Sequence, residues 1–244
     1  MKLFIPLFKR EFFSYFRSPV AYVFIVVFLL ASVGSSFFLG RFFDSNQADL
    51  SSFFSFLPWL YLVFVPAVGM RLWAEERRSG TLELLFTMPV TLKEAVLAKF
   101  FAGWAFLGVA LLLTFPMIFT VNYLGHPDNG VIFAGYIGTW FLAGGYLAIS
   151  CLSSAMTRNQ VIAFIMAVVV CFVLVLTGWG VFTDMLANFC TAAVIDFIAG
   201  TGFISHYQQI TKGIIDSRDI FYFASIIGVA LAANAVVLEA RRGN

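Results

Sequence analysis

Long apolar runs recur along the chain, each close to the roughly 20 residues a helix needs to cross the hydrocarbon core of a bilayer. Six stand out: Val20–Gly40, Phe54–Ala74, Ala95–Tyr123, Ile132–Met156, Val161–Phe182 and Ile220–Leu238. None carries a charge at its centre. Arg71 and Lys99 lie near span ends, where a long side chain reaches the interface. The pattern predicts an all-α polytopic membrane protein with six transmembrane helices, forming one domain over residues 1–244.

Two segments depart from it. Phe4, Phe8, Phe12 and Phe16 recur every four residues and line one helix face, with Arg10, Ser14 and Arg17 on the other. This predicts an amphipathic interface helix over residues 1–19, with Phe in the acyl boundary and Arg at the headgroups. Pro19 breaks it before the first span. A surface anchor and a partner-contacting helix fit equally well. A cleavable signal peptide is the alternative, but the apolar run is too long and no small-x-small site ends it cleanly.

The second departure is Thr183–Asp219. Its apolar stretch, Met185–Ala199, is short for a span and contains Asp196. Asp184, Asn188 and Thr191 fall at i, i+4 and i+7, one polar stripe of a helix. Gly200 and Gly202 then allow a sharp turn. A seventh crossing would put Arg241 and Arg242 outside, so residues 183–219 read as an outer re-entrant helical hairpin between spans five and six.

Charge fixes the direction. With the N-terminus inside, Lys2, Lys9, Arg10, Arg17, Arg71, Arg77, Arg78, Lys93, Lys99, Arg158, Arg241 and Arg242 lie on the cytoplasmic side, against Arg41, Lys212 and Arg218 outside. That bias places both termini in the cytoplasm. Composition agrees: 61% of the 244 residues are hydrophobic and 11% charged, against about 25% charged in a soluble domain. A net charge of +2 gives no reason to expect nucleic acid as a partner. Cys151, Cys171 and Cys190 are odd in number and widely spaced, and read as small apolar side chains.

Candidate chemistry is sparse. Ion-coupled transport usually needs an ionisable group within the membrane, and the span centres have none. His126 and His206, both outside, have no His or Cys neighbour at metal spacing. A membrane enzyme using these histidines with Asp128, Asp216 or Asp219 stays open as a reading. No catalytic triad, metal motif or phosphate-cradling loop is present, so if ATP drives this protein, another chain hydrolyses it.

The cytoplasmic loop over 75–94 is the most informative segment. Gly80 and Thr81 can cap a short helix with Glu83 in its positive first turn. Leu82, Leu84, Leu85 and Phe86 give it apolar surface, and Pro89 ends it. Thr91 and Glu94 form a capping box for the third span. Such a helix either folds back on its own bundle or docks as a knob in a partner's groove.

Glu75-Glu76-Arg77-Arg78-Ser79-Gly80-Thr81-Leu82-Glu83-Leu84-Leu85 resembles the E-E-x-x-x-G-T-x-E-x-L-L signature of the ABC type-2 export permeases. Lys9-Arg10-Glu11 with Phe16-Arg17-Ser18-Pro19 is similar to that family's interface helix. The stretch from His206 to Asp219 resembles the gliding-motility-type branch, although Tyr207 stands where that branch more often carries Phe. The resemblance implies that Glu75, Glu76, Arg77, Gly80, Thr81, Leu82 and Glu83 belong to an ATPase-coupling segment, with Arg158 in a second, smaller contact. It places Arg10 and Arg17 on the interface helix, and Asp184, Asn188, Thr191 and Asp196 in paired outer helices over the pathway. It implies an exporter subunit of the bacterial inner membrane, with no cofactor of its own and ATP and Mg in the partner ATPase. Two ATPase copies, a second permease subunit making a homodimer, and an accessory membrane protein with a large extracytoplasmic domain are the implied partners, besides the lipid bilayer. An ATP-independent channel or scaffold is the alternative.

Overall fold

The computed structural model describes residues 4–40, 42–43, 48–80, 91–186, 191–214 and 216–241. Among them the regular structure is entirely helical. Helix α1 (Phe4–Arg17) stops at Ser18, which is extended, and Pro19 opens α2 (Pro19–Gly34) at a position where its missing N–H costs nothing. A π-helical turn at Ser35–Leu39 finishes this first span. Then come α3 (Ser51–Gly69), α4 (Arg71–Ser79), α5 (Leu92–Leu112), α6 (Pro116–Leu124), α7 (Asn129–Met156), α8 (Gln160–Thr177), α9 (Gly180–Leu186), α10 (Ala192–Gly200), α11 (Phe203–Thr211) and α12 (Ser217–Ala240). Among the described residues six helical stretches are long and apolar enough to cross a membrane: Pro19–Leu39, Ser51–Ser79, Leu92–Leu124, Asn129–Met156, Gln160–Thr177 and Ser217–Ala240. The chain is thus a multi-pass membrane protein, with six candidate spans where its hydropathy predicts them.

Helix α7 is the axis. Helices α3, α4, α5, α8, α11 and α12 all pack on it. Its small residues let them approach, as membrane helix packing requires when lipid is as apolar as the side chains it replaces. The closest approach involves Gly69 of α3, where a Cβ would lie 2.4 Å from the Ser150 Cβ.

Proline shapes the spans. Pro58 cannot donate to the carbonyl of Phe54 four residues back. Tyr207 of α11, buried in the core, donates its hydroxyl to that carbonyl at 2.9 Å. Its oxygen lies 3.0 Å from the Thr139 hydroxyl on α7. Pro116 splits the third span into α5 and α6, where a continuous helix was expected. The Tyr136 hydroxyl donates to Thr114 O in that break.

Three further expectations change. The second span does not end at Ala74, because helix continues to Ser79 through the good helix formers Glu75, Glu76, Arg77 and Arg78. Asp184 and Thr191 do not share a helix. Asp184 is in α9 (Gly180–Leu186), and Thr191 is extended at the start of α10, where a hydroxyl residue is favoured over a helix interior. Lys99 does not snorkel outward; it is 4% exposed.

Candidate functional site

Two carboxylates at the end of the bundle that carries α1, α4 and the α7–α8 turn converge on Lys99. This residue sits in the second turn of α5, on a stripe with Ala95, Ala98, Ala102 and Gly103 that packs inward. Its ammonium lies 2.6 Å from Glu76 Oε1 on α4 and 3.1 Å from Glu11 Oε2 on α1. The Trp73 ring stands 5.4 Å away and contributes a cation–π contact. Arg10 holds the other carboxylate oxygen of Glu11 at 2.8 Å. Burial pushes the Glu11 carboxyl up, but the Lys99 charge and the hydrogen bonds from Arg10 and Lys99 outweigh it and hold it below the usual carboxylate value. One buried cation thereby ties together three elements distant in sequence.

Helix α4 is fixed from its other side by α7. The Ser154 hydroxyl accepts from the backbone N–H groups of Trp73 and Ala74, both at 3.0 Å, and donates to Met70 O at 2.8 Å. A side chain thus enters the ladder where α3 gives way to α4, the usual physical cause of a kink. Arg77 donates to Ala155 O at 2.8 Å, satisfying a carbonyl in the last turn of α7. Arg241, after α12, does the same for Met156 O at 2.8 Å. Arg158 is exposed in the turn after α7, close enough for its charge to bear on Arg77. Cys151 is more than an apolar filler: its sulfur accepts from Trp73 Nε1 at 3.2 Å and Asn234 Nδ2 at 2.9 Å, joining α4, α7 and α12.

Gly80 ends α4. It is left-handed, with φ 73°, and its N–H donates to Glu76 O, a glycine C-cap. The expected short helix with Thr81, Leu82 and Glu83 lies outside the described residues. The capping box beyond it is present, with Thr91 and Glu94 bonding reciprocally at the start of α5. Glu75 is exposed and, with Arg71, lines a cavity of about 470 Å³ between α1, α2, α4 and α5 that opens beside the triad.

The four Phe of α1 share one face. Phe4, Phe8 and Phe12 stack in series, Phe16 meets Phe12 edge-on, and Phe4 and Phe16 reach Phe101 and Phe106 of α5, so this face packs at least partly on the bundle rather than only in the acyl boundary. Arg10 and Arg17 are exposed on the opposite side.

At the far end, Asp184 on α9 and Thr191 just ahead of α10 are exposed. Asn188 and the side chain of Asp196 lie outside the described residues. Asp128 and Asp216 serve as N-caps of α7 and α12. No group of three His, Cys, Asp or Glu residues is gathered for a metal among the described residues.

The periodicity of single spans misses Ser154, Asn234 and the Lys99 triad, because their partners lie on other helices, between 23 and 88 residues away. A signal for Lys99 existed: it shares its helix face with four small residues, and such a face packs against helices rather than lipid.

Residues 44–199 match the model of the family described as ABC-2 family transporter protein. Comparison with curated proteins finds no match to the chain. The family match covers more than half of the sequence, from ahead of α3 into α10. In this family the membrane domain is a transport subunit that works with an ATPase and is not itself catalytic. The chain belongs to the ABC-2 transporter family, as its multi-pass membrane permease subunit.

Proposed function

We propose that this chain couples ATP hydrolysis in a separate subunit to export across a bacterial inner membrane, with both termini cytoplasmic. The observation that carries this reading is the Glu11–Lys99–Glu76 triad. Helix α4 leads directly into residues 81–90, the segment whose sequence resembles a coupling helix. A push on that segment moves α4. Because Lys99 joins α4 to α1 and α5, while Ser154 and Arg77 join it to α7, the displacement reaches four elements rather than one loop. Packed cores respond to such shifts by switching between discrete arrangements, which suits a bundle that alternates between closed and open.

In this reading two copies of the chain form the pathway above two ATPase subunits, which hold ATP and Mg. Helix α1 lies in the cytoplasmic interface, and residues 183–219 form a re-entrant hairpin over the outer mouth. The His206-to-Asp219 sequence favours the gliding-motility-type branch, with an accessory membrane protein beside the pair. Affinity purification of the native complex tests the reading. An ATPase copurifies, and Glu83→Lys lowers the ATPase stimulation given by the permease without lowering its yield. If no ATPase copurifies and Glu83→Lys changes nothing, the chain is an ATP-independent channel or scaffold.

A further inference from the structure

The His206-to-Asp219 stretch plays no part in the coupling scheme, yet the structure brings its two end residues together. His206 Nδ1 on α11 lies 2.6 Å from Asp219 Oδ1 in the first turn of α12. The other ring nitrogen, Nε2, lies 3.0 Å from the carbonyl oxygen of Gly200, the last residue of α10. The Tyr222 ring stacks on the imidazole at 3.9 Å between centroids, and its hydroxyl donates to Thr201 O. Asp219 is 2% exposed, and its Oδ2 is buried with no hydrogen-bond partner among the described residues.

Proton counting gives the chemistry. A carbonyl only accepts, so Nε2 carries a hydrogen. A nitrogen and a carboxylate oxygen 2.6 Å apart also need a hydrogen between them. The pair therefore holds one proton more than a neutral imidazole beside a carboxylate. Remove it and either tautomer fails. With hydrogen on Nε2, the Nδ1 lone pair faces the Asp219 carboxylate. With hydrogen on Nδ1, the Nε2 lone pair faces the Gly200 carbonyl.

We propose that His206 and Asp219 form a proton-binding site that latches the α10–α11 pair to the sixth span, closed when the shared proton is bound and released when it leaves. This goes beyond ATP coupling and does not depend on it. The surroundings leave the pair in control of its own charge. Helices α3, α7 and α8 present no Asp, Glu, Lys, Arg or His, and their titratable groups are the phenols of Tyr61, Tyr136 and Tyr146 and the thiols of Cys151 and Cys171. On α11 and α12 the other groups are Tyr207, Tyr222, the exposed Lys212 and Arg218, Asp216, whose carboxylate is engaged as the α12 cap, and Glu239 in the last turn of α12, at the opposite end from Asp219. Helix α5, which also packs on α12, carries Lys93, Glu94 and Lys99 near its start, on the side of the bundle where α12 ends. On α10 the only ionisable residue is Asp196.

The test uses the full chain, labelled with ¹⁵N-histidine, in lipid nanodiscs from about pH 5 to about pH 9, the range around histidine titration. There are only two histidines, so His126→Gln assigns the spectrum. A spin-label pair at Gln208→Cys on α11 and Ser225→Cys on α12, in a Cys190→Ser background, reports the latch; both labelled sites are exposed. At the acid end both ring nitrogens of His206 carry hydrogen and the label separation is narrow. As the second proton leaves, the narrow distribution is lost. His206→Gln makes the separation independent of pH, and in Asp219→Asn the ring holds one proton where the wild-type ring holds two. A ring that holds a single proton throughout, or that loses its second proton while the separation stays narrow, overturns the proposal. The wild-type titration decides this even where a variant does not fold.

Discussion

Replacing Lys99 by Met removes one charge and strands two. Lys99→Met keeps the length of the side chain but leaves Glu11 and Glu76 facing each other across the vacated ammonium position, 3.1 and 2.6 Å from where it stood. At an effective dielectric near 20, each pair attracts by about 5–6 kcal/mol before desolvation is subtracted. Removing one partner of a buried ion pair typically costs about 3–5 kcal/mol. The Glu11 and Glu76 side chains keep 16% and 22% of their exposure, so water screens part of the loss. We expect the low end, about 3 kcal/mol. For a chain of this size that is a fall of roughly 6–12 °C in Tm. The triple variant Glu11→Gln, Glu76→Gln, Lys99→Met removes every charge of the triad and recovers most of the loss. The pH dependence has a definite sign. Glu11 titrates below its ordinary value in the folded chain, so its contribution is full above the unfolded carboxyl value and fades as pH falls through the folded one. Acid therefore narrows the stability gap between wild type and Lys99→Met. Thermal unfolding in detergent, followed by tryptophan fluorescence at several pH values, measures all three quantities. A single variant as stable as wild type, or a triple variant no better than the single, refutes the buried triad.

Two further outcomes check the packing on α7. Gly69→Ala puts a methyl 2.4 Å from the Ser150 Cβ and lowers stability by about 1–3 kcal/mol; adding Ser150→Gly restores most of it in the same thermal assay, whereas an open groove at this crossing would give no loss and no rescue. Tyr207→Phe leaves the Phe54 carbonyl without its donor and costs about 1 kcal/mol. Pro58→Ala supplies the missing N–H, so the double variant is more stable than the sum of the two single effects predicts, and strict additivity would show that the two groups do not share that carbonyl.

Hydropathy read the spans well because each is a local property. A run of about 20 apolar residues has no low-energy place in water and satisfies its own backbone within one helix. Ser18-Pro19 and the Thr91–Glu94 box were legible for the same reason, since caps and breaks involve residues within a turn of each other. The glutamate-rich signature around Gly80 was legible too, and the family match over residues 44–199 agrees with it. The 75–80 part folded differently from its expectation as a loop. It continues the second span because Ser154, about 80 residues later, caps α4 from another helix.

Lys99 marks the boundary most clearly. Alone in its run, it reads as a long side chain near a membrane interface, and lipid headgroups are an adequate partner for such a group. Only the assembled bundle supplies a better one, by bringing Glu11 of α1 and Glu76 of α4 to the same point. His206 and Asp219 are thirteen residues apart and read only as separate residues of the outer segment until α11 and α12 folded together. Neighbouring residues alone carried the six apolar runs, the cap at Thr91, the break at Pro19 and the motif of the family, because each of these is a local property. Which polar groups are buried, and with whom, came only from packing, because removing a charge from water is tolerable only when the fold delivers its partner from elsewhere in the chain.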